Sequence, residues 1–99
     1  MLVLMGYLHV DPSEVDDFDA DVQEISRSTT AETGCLFYGI SLDDRTAGRF
    51  LVAERWQDEF ALRVHLETDE TRAFLRKWEG RMKGDLNAYD VIRERLLAA

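Results

Sequence analysis

Ninety-nine residues, 45% of them hydrophobic, suffice for one core and not for two, because a chain of this length buries roughly two thirds of its unfolded surface; a single domain over residues 1–99 is expected. The formal charge of −8, with twelve basic residues interleaved among twenty acidic ones, argues against nucleic acid or an anionic membrane as partner. No apolar run approaches the roughly 20 residues that cross a bilayer, and Met1 to Val10 lacks the basic start and cleavage site of a secretory leader, so the cytoplasm is the expected compartment.

Leu2 to Val10 (LVLMGYLHV) is rich in β-formers and apolar on both alternating faces, as in a strand with neither side in water. Asp11, Pro12 and Ser13 supply a cap and a helix-start proline, and Val15, Phe18, Val22 and Ile25 follow at helical spacing. The acidic outer face of this helix lacks the glycine and spacing of a calcium loop and reads as a solvated surface. Glu32-Thr33-Gly34 stops the helix before Cys35 to Leu42 (CLFYGISL), a second strand. Asp43 to Gly48 connects it to Arg49 to Trp56 (RFLVAERW). Gln57-Asp58-Glu59 opens a further helix, Thr68 offers a second cap, and Phe74, Leu75, Trp78 and Met82 form an apolar stripe. After Gly84-Asp85, Leu86 to Arg93 supplies a last strand, and Glu94 to Ala99 is a mixed tail.

The order β-α-β-β-α-β with a split second helix predicts an α+β, ferredoxin-like antiparallel four-stranded sheet. Helices can cover only one face of that sheet, yet Leu36, Tyr38 and Ile40 oppose Cys35 and Phe37, while Phe50, Val52 and Trp56 oppose Leu51 and Ala53. Burying the remaining apolar face against an identical one predicts a homodimer joined through its sheets.

His65, one turn beyond Ala61 and beside Leu62 and Leu66, should point toward the sheet, either as a hydrogen-bonded core imidazole or as a base. The register of Glu54 places it with Phe50, Val52 and Trp56 on a buried face, where a carboxylate needs a partner or serves to orient a histidine. His9 near the end of the first strand could act with either. Tyr7, Tyr38, Trp56, Phe74, Trp78 and Tyr89 are core residues or the walls of a slot for a flat apolar ring. A lone Cys35 and two scattered histidines give neither a disulfide nor a zinc spacing, and no structural metal is expected.

Glu32-Thr33-Gly34-Cys35-Leu36-Phe37-Tyr38 (E-x-G-C-x-x-Y), then Glu54-Arg55-Trp56-Gln57-Asp58-Glu59 (E-x-W-x-D-E), then Ala61-Leu62 and His65-Leu66-Glu67-Thr68, resemble in order and spacing the antibiotic biosynthesis monooxygenase family. The resemblance spans nearly the whole chain. It implies a dimeric α+β barrel with a cavity between helices and sheet in each protomer, and often a C-terminal strand contacting the partner. It also implies oxidation of phenols or quinols by molecular oxygen without flavin, haem or metal. Carried over by position, His65 matches the family's helix histidine and would be the base or substrate-orienting group, Glu54 and Trp56 match its strand pair, and Tyr38 matches the tyrosine of its second strand. Together with the aromatic inventory this makes His65, Tyr38 and Glu54 the catalytic candidates, and Tyr7, His9, Trp56, Phe74 and Trp78 the candidates for binding a small aromatic substrate.

Many active relatives follow the threonine of H-L-x-T with a P-H-F or P-H-Y turn. Here Thr68 is followed by Asp69-Glu70-Thr71-Arg72, so a second histidine is missing. The haem-degrading branch fits poorly, since its helix tryptophan falls near His65 and its strand asparagine near Gly6 or Tyr7. A related isomerase branch keeps the histidine absent here. A non-catalytic dimeric binding module of the same fold is the alternative, favoured if His65 is walled off from any cavity.

Overall fold

A computed structural model, describing residues 1–98, gives the chain four strands and three helices: β1 (Leu2–Val10), α1 (Val15–Thr30), β2 (Cys35–Asp44), β3 (Arg49–Trp56), α2 (Glu59–Leu66), α3 (Asp69–Trp78) and β4 (Met82–Asp90). Ala99, the last residue of the expected tail, lies outside the described residues. The strands form one antiparallel sheet in the order β2-β3-β1-β4, the ferredoxin-like α+β arrangement that the element order predicts.

Local chemistry sets the boundaries. Asp11 accepts a hydrogen bond from the Ser13 amide, and Pro12–Glu14 makes a 3₁₀ turn that leads into α1. Asp58 caps α2 through the Ala61 amide, and the Thr68 hydroxyl caps α3 through that of Thr71, so the second helical region breaks at Thr68. The last strand is displaced from its expected Leu86–Arg93 span. The helix ends at Trp78, Gly80 turns the chain at φ 75°, and Met82 joins β4 opposite Val10 instead of extending the helical stripe. Gly84 does not stop the strand, because its pairing with Leu8 supplies the ladder bonds that local propensity lacks.

Strand alternation divides the molecule. Phe50, Val52, Glu54 and Trp56 of β3 face the helices, in register with Leu8, Gly6, Leu4 and Leu2 of β1. One core cluster gathers Leu8, Val10, Val15, Phe18, Val22, Ile40, Phe50, Val52 and Trp78, and a smaller one holds Leu2, Trp56 and Ala61. In the larger cluster Phe18 meets Phe50 and Trp78 edge-on, each at a centroid distance of 4.8 Å. Tyr38 packs against both clusters and bridges them. On the other face of the sheet Met5, Tyr7, Phe37, Leu51 and Tyr89 are exposed. Beyond β4, the chain projects Ile92, Leu96 and Leu97 into solvent.

Candidate active site

Between the two core clusters, on the helix side of the sheet, lies a cavity of about 310 Å³. Leu4, Leu8, Ile40, Val52, Leu62, Phe74 and Leu86 are among its apolar walls, and Tyr38, Glu54, His65 and Thr71 supply its polar side chains. That combination, a mostly apolar concavity with a few convergent polar groups, is the usual make-up of a small-molecule site. In the ladder Glu54 lies between Leu4 and Tyr38, while Leu8 and Gly84 pair further along β1, so the polar groups gather toward the Glu54 level of the sheet.

His65 is only 4% exposed. Its Nδ1 lies 2.8 and 3.1 Å from the two carboxylate oxygens of Glu32, with the Thr71 hydroxyl at a longer 3.4 Å. An ionised carboxylate can only accept, so in the neutral ring Nδ1 carries the proton and Nε2 holds the lone pair. Nε2 makes no hydrogen bond among the described residues, and the one fully enclosed side-chain polar atom without a partner there is Thr29 Oγ1. Since His65 lines the cavity, Nε2 is the nitrogen available to it. The ring is fixed on two further sides, with its centroid 4.9 Å from that of Trp56 and 5.7 Å from that of Tyr38.

Glu54 is buried at 7% exposure and accepts the Trp56 indole N–H through Oε1 at 2.9 Å. Burial pushes its carboxyl above the usual range, while that indole bond and the nearby His65 draw it partly back. Tyr38 is driven far above the ordinary phenol range, first by burial and then by the negative charges of Glu54 and Glu32, so its hydroxyl keeps its proton as a donor. Cys35 is likewise raised by burial and by Glu32 and Glu54, the reverse of an activated thiolate.

The sequence-derived residues thus separate. Tyr38, Glu54, His65 and Phe74 line the cavity, and fully buried Trp56 backs His65 and Glu54. Trp78 is also fully buried, but it belongs to the larger core cluster and gives its indole N–H to Asp21 of α1 at 2.9 Å, away from the cavity lining. Tyr7 and His9 are not brought to the cavity. The period-two alternation of β1 turns them to the open face, where Tyr7 lies under the Arg49 guanidinium at 5.2 Å and beside His9.

Glu32 and Thr71 are the partners that sequence reasoning passed over. Glu32 reads as a turn residue between α1 and β2, 33 positions from His65, and its only signal was its place at the head of the E-x-G-C block. Gly34 explains that block physically. At φ 83° its carbonyl accepts the Gln57 amide, and a Cβ there would come within 2.5 Å of the Ala61 methyl, so glycine lets the Glu32 turn sit against α2.

Comparison with known proteins identifies the fold and the family. The model of the family "Antibiotic biosynthesis monooxygenase" matches residues 1–77. The chain is 29% identical over 96 residues to "Putative monooxygenase YcnE" of Bacillus subtilis (strain 168), covering 97% of this chain and 98% of that protein. In fold it is similar to the crystal structure of a "putative antibiotic biosynthesis monooxygenase" from Deinococcus radiodurans, with TM-score 0.86, 22% identity and complete coverage of both chains. A protein of the same description from Caulobacter crescentus superposes with TM-score 0.81 and 22% identity over 93% of this chain and 90% of its own. With its family model matched over residues 1–77, from β1 into the last turn of α3, the chain belongs to the antibiotic biosynthesis monooxygenase family.

Proposed function

We propose that this protein is a cofactor-independent monooxygenase that oxidises a hydroxylated aromatic or quinol-type substrate with molecular oxygen. The observation that supports this reading above others is an almost wholly apolar cavity lined by His65, whose Nδ1 is held by a carboxylate so that Nε2 is left free. Nε2 removes a proton from a substrate O–H or activated C–H, and the electron pair stays on the substrate as an electron-rich anion. Oxygen takes up those electrons at a ring carbon and forms a hydroperoxide; loss of water then leaves a carbonyl. A hydroquinone plus one oxygen molecule becomes a hydroxyquinone plus one water, and an anthrone becomes an anthraquinone plus one water. Tyr38, kept protonated, donates to the developing oxyanion, and the apolar walls exclude water from the anion.

In this reading the working unit is a homodimer closed through the open sheet face, located in the cytoplasm. The test is oxygen uptake with a panel of anthrones and hydroquinones. Native protein should consume oxygen, and His65→Ala should lose about 100-fold or more of the rate. No uptake, or uptake indifferent to the substitution, would sink the mechanism. The replacement of the second histidine by the Asp69-Glu70-Thr71 segment favours a second reading, a binding module without turnover. It would show itself as quenching of tryptophan fluorescence by the same compounds with no oxygen consumed.

A further inference from the structure

We propose that Glu32 is a positioning residue for His65: its carboxylate fixes the ring as the Nδ1–H tautomer, aims the Nε2 lone pair at the cavity, and stabilises the imidazolium formed when Nε2 takes the substrate proton. This rests on the monooxygenase reading for its chemical consequence but not for its structural content.

The geometry is specific. Both carboxylate oxygens of Glu32 lie within 3.1 Å of Nδ1, and the histidine they hold is 4% exposed. Glu32 is set there by backbone constraints independent of the histidine. Its amide donates to the Thr29 carbonyl at the end of α1, its carbonyl accepts the Cys35 amide, and Gly34 locks the turn against α2. In water the neutral histidine ring prefers its proton on Nε2, which would leave no lone pair facing the cavity. A fixed acceptor at Nδ1 reverses that preference.

The step balances within the site. The substrate O–H bond breaks, an Nε2–H bond forms, and the electron pair stays on the substrate oxygen. The new positive ring charge then lies against the Glu32 carboxylate. Among the described residues, the charged and titratable groups around the ring are Glu32 after α1, Tyr38 on β2 and Glu54 on β3; α3 contributes the neutral Thr71. None of them is a cation, so among these groups the imidazolium is the one positive charge available to a substrate anion.

Nitrogen-15 NMR of the His65 ring in native protein, at alkaline pH where the ring is neutral, reads the tautomer without any substrate. The expected spectrum has a protonated Nδ1 and a bare Nε2; the opposite assignment overturns the proposal. Glu32→Ala should return the ring to the Nε2–H tautomer, and an unchanged tautomer would show that something else fixes it. Glu32→Gln keeps an acceptor but no charge, so it should retain the tautomer while kcat falls about 10- to 100-fold with KM nearly unchanged. An equally active Glu32→Gln would remove imidazolium stabilisation from the account. Absence of oxygen uptake in native protein with the expected tautomer present would instead count against the monooxygenase reading alone.

Discussion

At the scale of single residues, the site is a set of polar groups held in unusual states by burial. Glu54 binds its proton more readily folded than unfolded, because burial raises its carboxyl. The Glu54 contribution to stability should therefore be greatest where Glu54 is protonated and should decline as pH rises through the window between the ordinary and the raised value. Glu54→Gln should flatten that part of the curve, checked by urea unfolding at a series of pH values. A mutant curve parallel to the native one would deny Glu54 this role. Trp56→Phe removes the indole donor from Glu54 Oε1 and should cost about 1–3 kcal/mol, less when combined with Glu54→Leu, which has no acceptor, since the pair shares one hydrogen bond. The inward position of Glu54 was legible in the sequence, because a period of two along RFLVAERW leaves it no other face. The same alternation, applied to LVLMGYLHV, sends Tyr7 and His9 outward; residue type alone does not say which face of a strand a side chain takes. Glu32 was hidden for a different reason: a glutamate before a Thr-Gly turn carries no local mark of a partner 33 residues away.

At the scale of elements, α1 is tied to α3 by a small polar clamp over the aromatic cluster. Asp21 accepts from the Trp78 indole at 2.9 Å and from Lys77 at 2.7 Å. Partial burial works upward on its carboxyl, but the Lys77 and Trp78 bonds and the charges of Lys77 and Arg81 outweigh it, so Asp21 lies below the usual range. A lowered folded value means that the stabilisation is complete above the unfolded carboxylate value and is lost as pH falls through the lowered one. Asp21→Asn should cost roughly 0.5–1 kcal/mol at neutral pH, given the partial exposure of the clamp, and almost nothing in strong acid. Thermal melts at the two pH values decide it, and an equal loss at both would mean that the charge of Asp21 is irrelevant. Helix positions were readable from spacing and caps. The start of β4 was not, because Met82 continues an apolar stripe that looks helical until the Gly80 turn and the pairing with β1 place it in the sheet.

At the scale of the whole molecule, the open sheet face is the feature an isolated protomer leaves unfinished. Met5, Phe37 and Tyr89 are each about half exposed at 48–50%, an apolar area of the kind that self-association removes. Leu51→Glu, near the middle of this face and opposite Tyr7, should shift the protein to monomer in sedimentation equilibrium while leaving far-UV circular dichroism intact. A native monomer, or a dimer indifferent to that charge, would contradict the sheet-to-sheet arrangement. The sequence by itself determined the order of elements, the apolar alternation that buries one sheet face and strands the other, and the inward position of His65. These follow from local periodicity and capping, which act within a few residues. Only the tertiary structure decided which polar groups meet, because the Glu32–His65 bond, the division of the core by a cavity and the outward placement of Tyr7 and His9 depend on strand register and on a glycine turn packing against a distant helix.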